Sequence, residues 1–148
     1  MVTNYIENYK EAVQLAIERE SEAEQFYDKF AENVHEPDAK SLLKRLAIEE
    51  KKHQKLLHTF SGEVKTVPEG AFIPPENFAY DFSDQNIKTT EDIFKTAIQQ
   101  EEVSLNFYSR LLVYFFGTGH EKLFRDIFNM EVDHKEQLER NMKQYLNR

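Results

Sequence analysis

A pair of residues that occurs twice restricts this 148-residue chain more than any other feature. Glu50 and His53 form one Glu-x-x-His step, and Glu131 and His134 form a second. On a helix, residues i and i+3 share a face, with Cβ atoms about 5–6 Å apart. A carboxylate and an imidazole at that spacing can ligate one metal ion or two adjacent ones. A single such step is weak evidence, because Glu, Lys and His are common on solvated helix faces. The rest of the repeat gives it weight.

The two halves align without a gap at a constant offset of 81 residues. The offset pairs Glu20 with Glu101, Glu50 with Glu131, His53 with His134 and Tyr27 with Tyr108. All other identities between residues 10 and 58 and their partners are apolar: Ala16/Ala97, Ile17/Ile98, Phe26/Phe107, Leu42/Leu123 and Leu57/Leu138. Every polar identity is therefore a candidate ligand or a neighbour of one. Such a repeat predicts two helical hairpins related by a pseudo-twofold axis, which brings both Glu-x-x-His steps to one level.

Helical periodicity divides the chain into four segments, at about 4–34, 37–60, 90–116 and 120–145. Thr3 or Asn4 is the expected cap of the first. Pro37 suits the first turn of the second, and Gly62 a stop after it. Thr89 and Asp92 have capping-box spacing at the start of the third, and Gly117-Thr118-Gly119 ends it. The predicted organisation is a single domain over 1–148, with hairpins at 4–60 and 90–146. Residues 61–89 hold Gly62, Gly70, Pro68, Pro74 and Pro75 among the aromatics Phe72, Phe78, Tyr80 and Phe82. A connection of that length suits a crossover travelling along the bundle between two parallel helices. Its aromatics are expected to pack on the bundle; the alternative is a flexible linker between hairpins.

Glu20 and Glu101 lie in the middle of apolar helix faces, where a carboxylate is costly unless paired or bound to metal. Four carboxylates carry a formal charge of −4, which two divalent cations would neutralise. Four Glu and two His are too many ligands for one tetrahedral zinc. They suit two ions with mixed oxygen and nitrogen coordination, such as iron or manganese. The plainer alternative is a metal-free bundle with buried ion pairs, or with its carboxylates turned to solvent. Glu49 is a candidate partner for His53 behind the ligands. Its counterpart in the second half is Met130, so that role is not duplicated. His35, His58 and His120 stand outside the repeat and are expected at the surface. The run Leu111 to Phe116 is more apolar than one helix face needs, and reads either as core or as an oligomer contact.

Composition closes off other classes. Gly and Pro number only four each, as expected for a helical chain. There is no apolar run near 18 residues and no basic, apolar leader at the N-terminus, so neither a membrane span nor a signal peptide is expected. With no Cys, the chain has no disulfide and no thiolate-held metal. A cytoplasmic location is the compatible expectation. The formal charge of −8 argues against nucleic acid as a partner.

The spacing Glu20, Glu50-x-x-His53, Glu101, Glu131-x-x-His134 resembles that of the ferritin-like di-iron carboxylate superfamily. The runs Ala16-Ile17-Glu18-Arg19-Glu20-Ser21, Phe26-Tyr27 and Glu49-Glu50-Lys51-Lys52-His53 resemble its rubrerythrin branch. The resemblance covers nearly the whole chain. It implies an all-α, ferritin-like four-helix bundle with a long crossover between the second and third helices. It further implies two iron ions bridged by Glu50 and Glu131. Glu20 and Glu101 would be terminal ligands, with one of His53 and His134 on each ion. Tyr27 and Tyr108 match family tyrosines that hydrogen-bond to ligand carboxylates.

Two departures qualify it. The four-Cys rubredoxin site is missing, so electrons are expected from an external donor protein. The rubrerythrin pattern also places a Glu three residues after the third-helix ligand, where this chain has Ser104, so the remaining ligand set is closer to the symmetric one of bacterioferritins. The reading implied is a di-iron oxidoreductase, with manganese or a mixed pair as alternative metals, reducing peroxide or dioxygen. The alternative is an iron-binding protein that oxidises and stores or delivers iron without turnover. A homodimer is expected in either case.

Overall fold

A computed structural model of the protein describes residues 8–60, 68–76 and 86–147. Four helices make up most of these: α1 (Tyr9–Ala31), α2 (Pro37–Phe60), α3 (Thr90–Tyr114) and α4 (Glu121–Leu146). The chain is an all-α bundle.

Local chemistry sets the helix ends. Helix α1 starts later than the periodicity suggests. Asn8 is extended, and its side-chain oxygen accepts from the Glu11 N–H at 3.1 Å, which satisfies one of the free donors of the first turn. The expected start near Asn4 is thereby corrected to Tyr9, and Thr3 and Asn4 lie outside the described residues. Pro37 opens α2, where a missing N–H costs nothing. The capping box at α3 forms as expected: Asp92 N–H donates to Thr89 Oγ1, and Thr89 N–H to Asp92 Oδ2, each at 3.1 Å. After α3 the chain turns through Gly117 at φ +77°, a conformation that glycine adopts without strain.

Two hydrogen bonds show how the halves are joined. The Thr90 hydroxyl donates to Glu36 Oε2 at 3.0 Å, which places the starts of α2 and α3 at one end. At the far end of α3, the Tyr114 hydroxyl donates to the Gly70 carbonyl at 2.9 Å. Gly70 therefore lies beside the end of α3 and Thr90 at its start. Phe72 is buried and meets Phe107 edge-on, with ring centroids 5.7 Å apart. Gly62, Phe78, Tyr80 and Phe82 lie outside the described residues.

Helix α1 packs chiefly on α2, and α3 on α4; the pairs meet through α2 with α4 and α1 with α3. The apolar core is in two parts. One gathers Val13, Ile17, Leu57, Phe107, Leu111 and Phe124; the other gathers Ala23, Leu43, Leu46, Phe94, Ala97 and Leu138. Along α1, Glu20 falls between Ile17 and Ala23, and along α2, Glu50 and His53 fall between Leu46 and Leu57. Glu101 on α3 and the Glu131–His134 step on α4 fall between the same two clusters. A polar layer thus cuts the core across the middle. Each large apolar side chain buried above or below it contributes about 1.5–3 kcal/mol, which lets the bundle close over a charged layer.

One expectation about the surface changes. His120 is fully buried, not exposed: its ring lies against Phe115 and Phe124, with centroids at 4.9 and 5.9 Å. The cluster of rings at that end of the bundle offers an apolar slot that an imidazole fills. In the Leu111–Phe116 run, Leu111 and Phe115 face inward, while Val113 and Phe116 are 77% and 78% exposed. Among the described residues, no helix is long and apolar enough to cross a membrane.

Candidate metal centre

The polar layer holds all six side chains singled out by the repeat. Glu20, Glu50, His53, Glu101, Glu131 and His134 are each at most 2% exposed. Helical spacing presents Glu50 with His53, and Glu131 with His134, on inward faces. The other two helices contribute one carboxylate each.

Both imidazoles turn Nδ1 inward. His53 Nδ1 lies 3.1 Å from Glu131 Oε1, 3.3 Å from Glu20 Oε2 and 3.8 Å from Glu50 Oε1. His134 Nδ1 lies 3.0 Å from Glu50 Oε1, 3.7 Å from Glu131 Oε2 and 3.8 Å from Glu101 Oε1. The rings are nearly parallel, 12° apart, with centroids separated by 5.8 Å. Two overlapping groups result: Glu20, Glu50, His53 and Glu131, and Glu50, Glu101, Glu131 and His134. In each, the ligand atoms lie within 4.8 Å of one another. Glu50 and Glu131 belong to both groups.

Tyrosines fix the outer carboxylates, and they do so between halves. The Tyr27 hydroxyl donates to Glu101 Oε1, and the Tyr108 hydroxyl donates to Glu20 Oε1. Burial, and then the charge of the carboxylate each one faces, pushes both phenols well above their usual range. They stay neutral and act as donors. Tyr27→Phe removes one bond to a buried carboxylate, whose other oxygen, Oε2, has no hydrogen bond of good geometry. A loss of about 1–3 kcal/mol is expected for metal-free protein. Urea unfolding measures it, and an unchanged midpoint would refute the role.

The electrostatics are those of a site short of positive charge. Burial, followed by the charge of Glu131, raises the Glu50 and Glu101 carboxyls well above the normal range. Burial acts in the same direction on Glu131. Hydrogen bonds from Glu101, His134 and His53 outweigh it and hold Glu131 well below that range. Burial lowers the two imidazoles, but their carboxylate partners win: His53 is pushed up to about 9 and His134 to about 11. The raised carboxyls and imidazoles mark a site that favours positive charge, and cations placed there would neutralise the carboxylates. Glu50 Oε1, Glu101 Oε2, both Glu131 oxygens and His134 Nδ1 are buried without a hydrogen bond of good geometry. Buried polar atoms seldom go unsatisfied. This donor set, oxygen-rich with two imidazole nitrogens, fits two transition-metal ions.

Behind the ligands, one sequence expectation is overturned. Glu49 does not partner His53 on its own helix. Its Oε2 reaches His134 Nε2 across the seam between α2 and α4, at 2.5 Å. His53 Nε2 instead faces the sulfur of Met130 at 3.1 Å. With Nδ1 directed to the centre, Nε2 must point across the seam, out of reach of the preceding turn. The pairing of positions 49 and 130 by the repeat offset was the signal that could have revealed this crossing. Between the same helices a cavity of about 440 Å³ reaches both His53 and His134. Glu49, Lys52, Leu56, Asn129, Met130 and Asp133 form its walls. Nothing in the sequence pattern marked it.

Comparison with known proteins points the same way. The rubrerythrin family model matches residues 11–142. A hypothetical protein from Pyrococcus furiosus has a similar structure, with a TM-score of 0.68 and 25% sequence identity. That similarity covers 93% of this chain and 90% of that one. The sequence matches no curated protein.

Proposed function

The chain belongs to the rubrerythrin family, and from that premise we propose that it is a di-iron carboxylate oxidoreductase that reduces peroxide or dioxygen with electrons from an external donor protein. The observation that carries this reading is the doubled ligand group, whose inner carboxylate oxygens are buried without hydrogen bonds of good geometry. Glu50 and Glu131 would bridge the ions, Glu20 with His53 would complete one position, and Glu101 with His134 the other. Bound there, the metal pair supplies Lewis acidity and electrons for reducing the substrate. Manganese or a mixed pair fits the same donors.

The chain's own residues do the rest. Tyr27 and Tyr108 hold the outer carboxylates in place by donating to them. The two apolar clusters exclude water from above and below. The cavity between α2 and α4 offers a small oxidant a path to the imidazole edges. Ser104, buried one turn from Glu101, brings no further carboxylate. A cytoplasmic setting and a role in oxidative stress accord with this chemistry.

The test is to load the protein with ferrous iron without oxygen, count the ions and mix it rapidly with peroxide and with dioxygen. Two irons per chain and fast oxidation, followed by repeated turnover with a donor, support the reading. Loading far beyond two irons per chain favours storage instead. One ion or none, in protein with a native helical spectrum, refutes the di-metal centre.

A homodimer is part of the proposal. Val113 and Phe116 leave large apolar side chains in solvent near the end of α3, where a second copy would cover them. Light scattering at micromolar concentration is the check, and a monomer refutes the dimer.

A further inference from the structure

The inner six side chains obey the repeat, but the residues behind the imidazoles break it. Positions 49 and 130 are equivalent, yet one is Glu and the other Met. Glu49 Oε2 lies 2.5 Å from His134 Nε2, and Met130 Sδ lies 3.1 Å from His53 Nε2. An imidazole that gives Nδ1 to a metal carries its remaining proton on Nε2. His134 therefore donates to a carboxylate, and His53 to a thioether, which is only a weak acceptor. A carboxylate behind a ligating imidazole fixes its tautomer and ring orientation and makes the ring a stronger donor to the metal. A thioether does little of this.

Resting on the di-metal reading, we infer that the two metal positions differ in affinity: the one beside His134, with Glu49 as its positioning residue, fills first, and the one beside His53 is the exchangeable one. The first ion takes Glu50, Glu101, Glu131 and His134. The second takes Glu20 and His53 and shares the two central carboxylates. At limiting metal the protein then holds one ion at a defined place, so the second position is where a different metal enters a mixed pair. Met130 and Glu49 both line the cavity, so the difference between the two positions lies in the chemistry of these outer partners and not in access.

Loss of an outer partner costs roughly 10- to 100-fold in metal affinity, and that is the expected gap between the two steps. The probe is cobalt(II), added to metal-free protein and followed by calorimetry and by the paramagnetic shifts of the two imidazoles in NMR. The His134 signals should shift with the first equivalent and the His53 signals with the second. Glu49→Met should bring the steps together by weakening the first, and Met130→Glu by tightening the second. Both positions are partly exposed, and far-UV circular dichroism checks the fold of each variant. The opposite directions separate a positioning role from general destabilisation, which would weaken both steps in both variants. Two indistinguishable steps in the unmodified protein, or His53 shifting first, overturn the inference and leave the di-metal reading standing. Failure to bind cobalt at all overturns both.

Discussion

Glu50→Ala is expected to strip both metal positions together, whereas Glu20→Ala leaves the His134 position filled. The geometry gives the reason. Glu50 Oε1 lies 3.0 Å from one inward imidazole nitrogen and 3.8 Å from the other, so one carboxylate serves both groups. Glu20 belongs to a single group, as does Glu101. Removing a shared carboxylate takes a ligand from each ion and leaves the facing charges of the pair less screened. The cost should exceed the roughly 100-fold upper figure for losing an outer partner. Glu131→Ala should behave like Glu50→Ala. Metal content after dialysis measures the effect. Equal retention by Glu50→Ala and Glu20→Ala would contradict the shared role of Glu50.

Metal-free protein should lose stability as pH rises, and loaded protein should not. Four groups set the sign. Glu50 and Glu101 have folded-state carboxyls raised above the unfolded value of 4.5. Their contribution is full below that value and is lost as pH rises through the raised one. His53 and His134 contribute fully below 6.5, and that stability is lost as pH climbs through about 9 and about 11. Glu131 has the opposite sign, and its loss falls below pH 4.5, outside the useful window. Between roughly pH 5.5 and 8.5 the melting temperature of metal-free protein should therefore fall steadily. Metal binding displaces the same protons and strengthens with pH. At a free metal concentration 1,000 times the dissociation constant, each ion adds about 4 kcal/mol. For a chain near this size, that is a rise of roughly 10 °C or more per ion. Thermal melts with and without metal across the window measure both effects. A metal-free protein that gains stability toward pH 8.5 would show the charge account to be wrong.

The six inner residues were legible because helix geometry leaves little freedom. A step of three residues fixes which side chains share a face, and the gapless repeat fixes which faces meet. The layer between two apolar clusters follows from the same spacing. The contacts that were misread depend on tertiary direction. Glu49 and His53 are four apart, the spacing of neighbours on one helix, but the outward nitrogen of His53 points across the seam and meets Met130 instead. His120 lacks a partner in the repeat, and that says nothing about burial, which the surrounding rings decide. Thr3, Asn4 and Asn8 are all competent caps. Only the bond from Glu11 N–H to Asn8 distinguishes among them. The crossover was visible as a composition, whereas the seat of Phe72 against Phe107 was not.

The tyrosine contacts have one more consequence. Tyr27 supports the carboxylate of the opposite hairpin, Tyr108 returns the favour, and Glu49 reaches the imidazole opposite it as well. Neither hairpin owns a complete half of the polar layer: each supplies side chains that the other must brace. A lone hairpin of this design has no working version of its own, while two copies side by side would brace each other in full. The two halves therefore hold each other's carboxylates, and parting them would leave Glu20 and Glu101 each without its tyrosine donor.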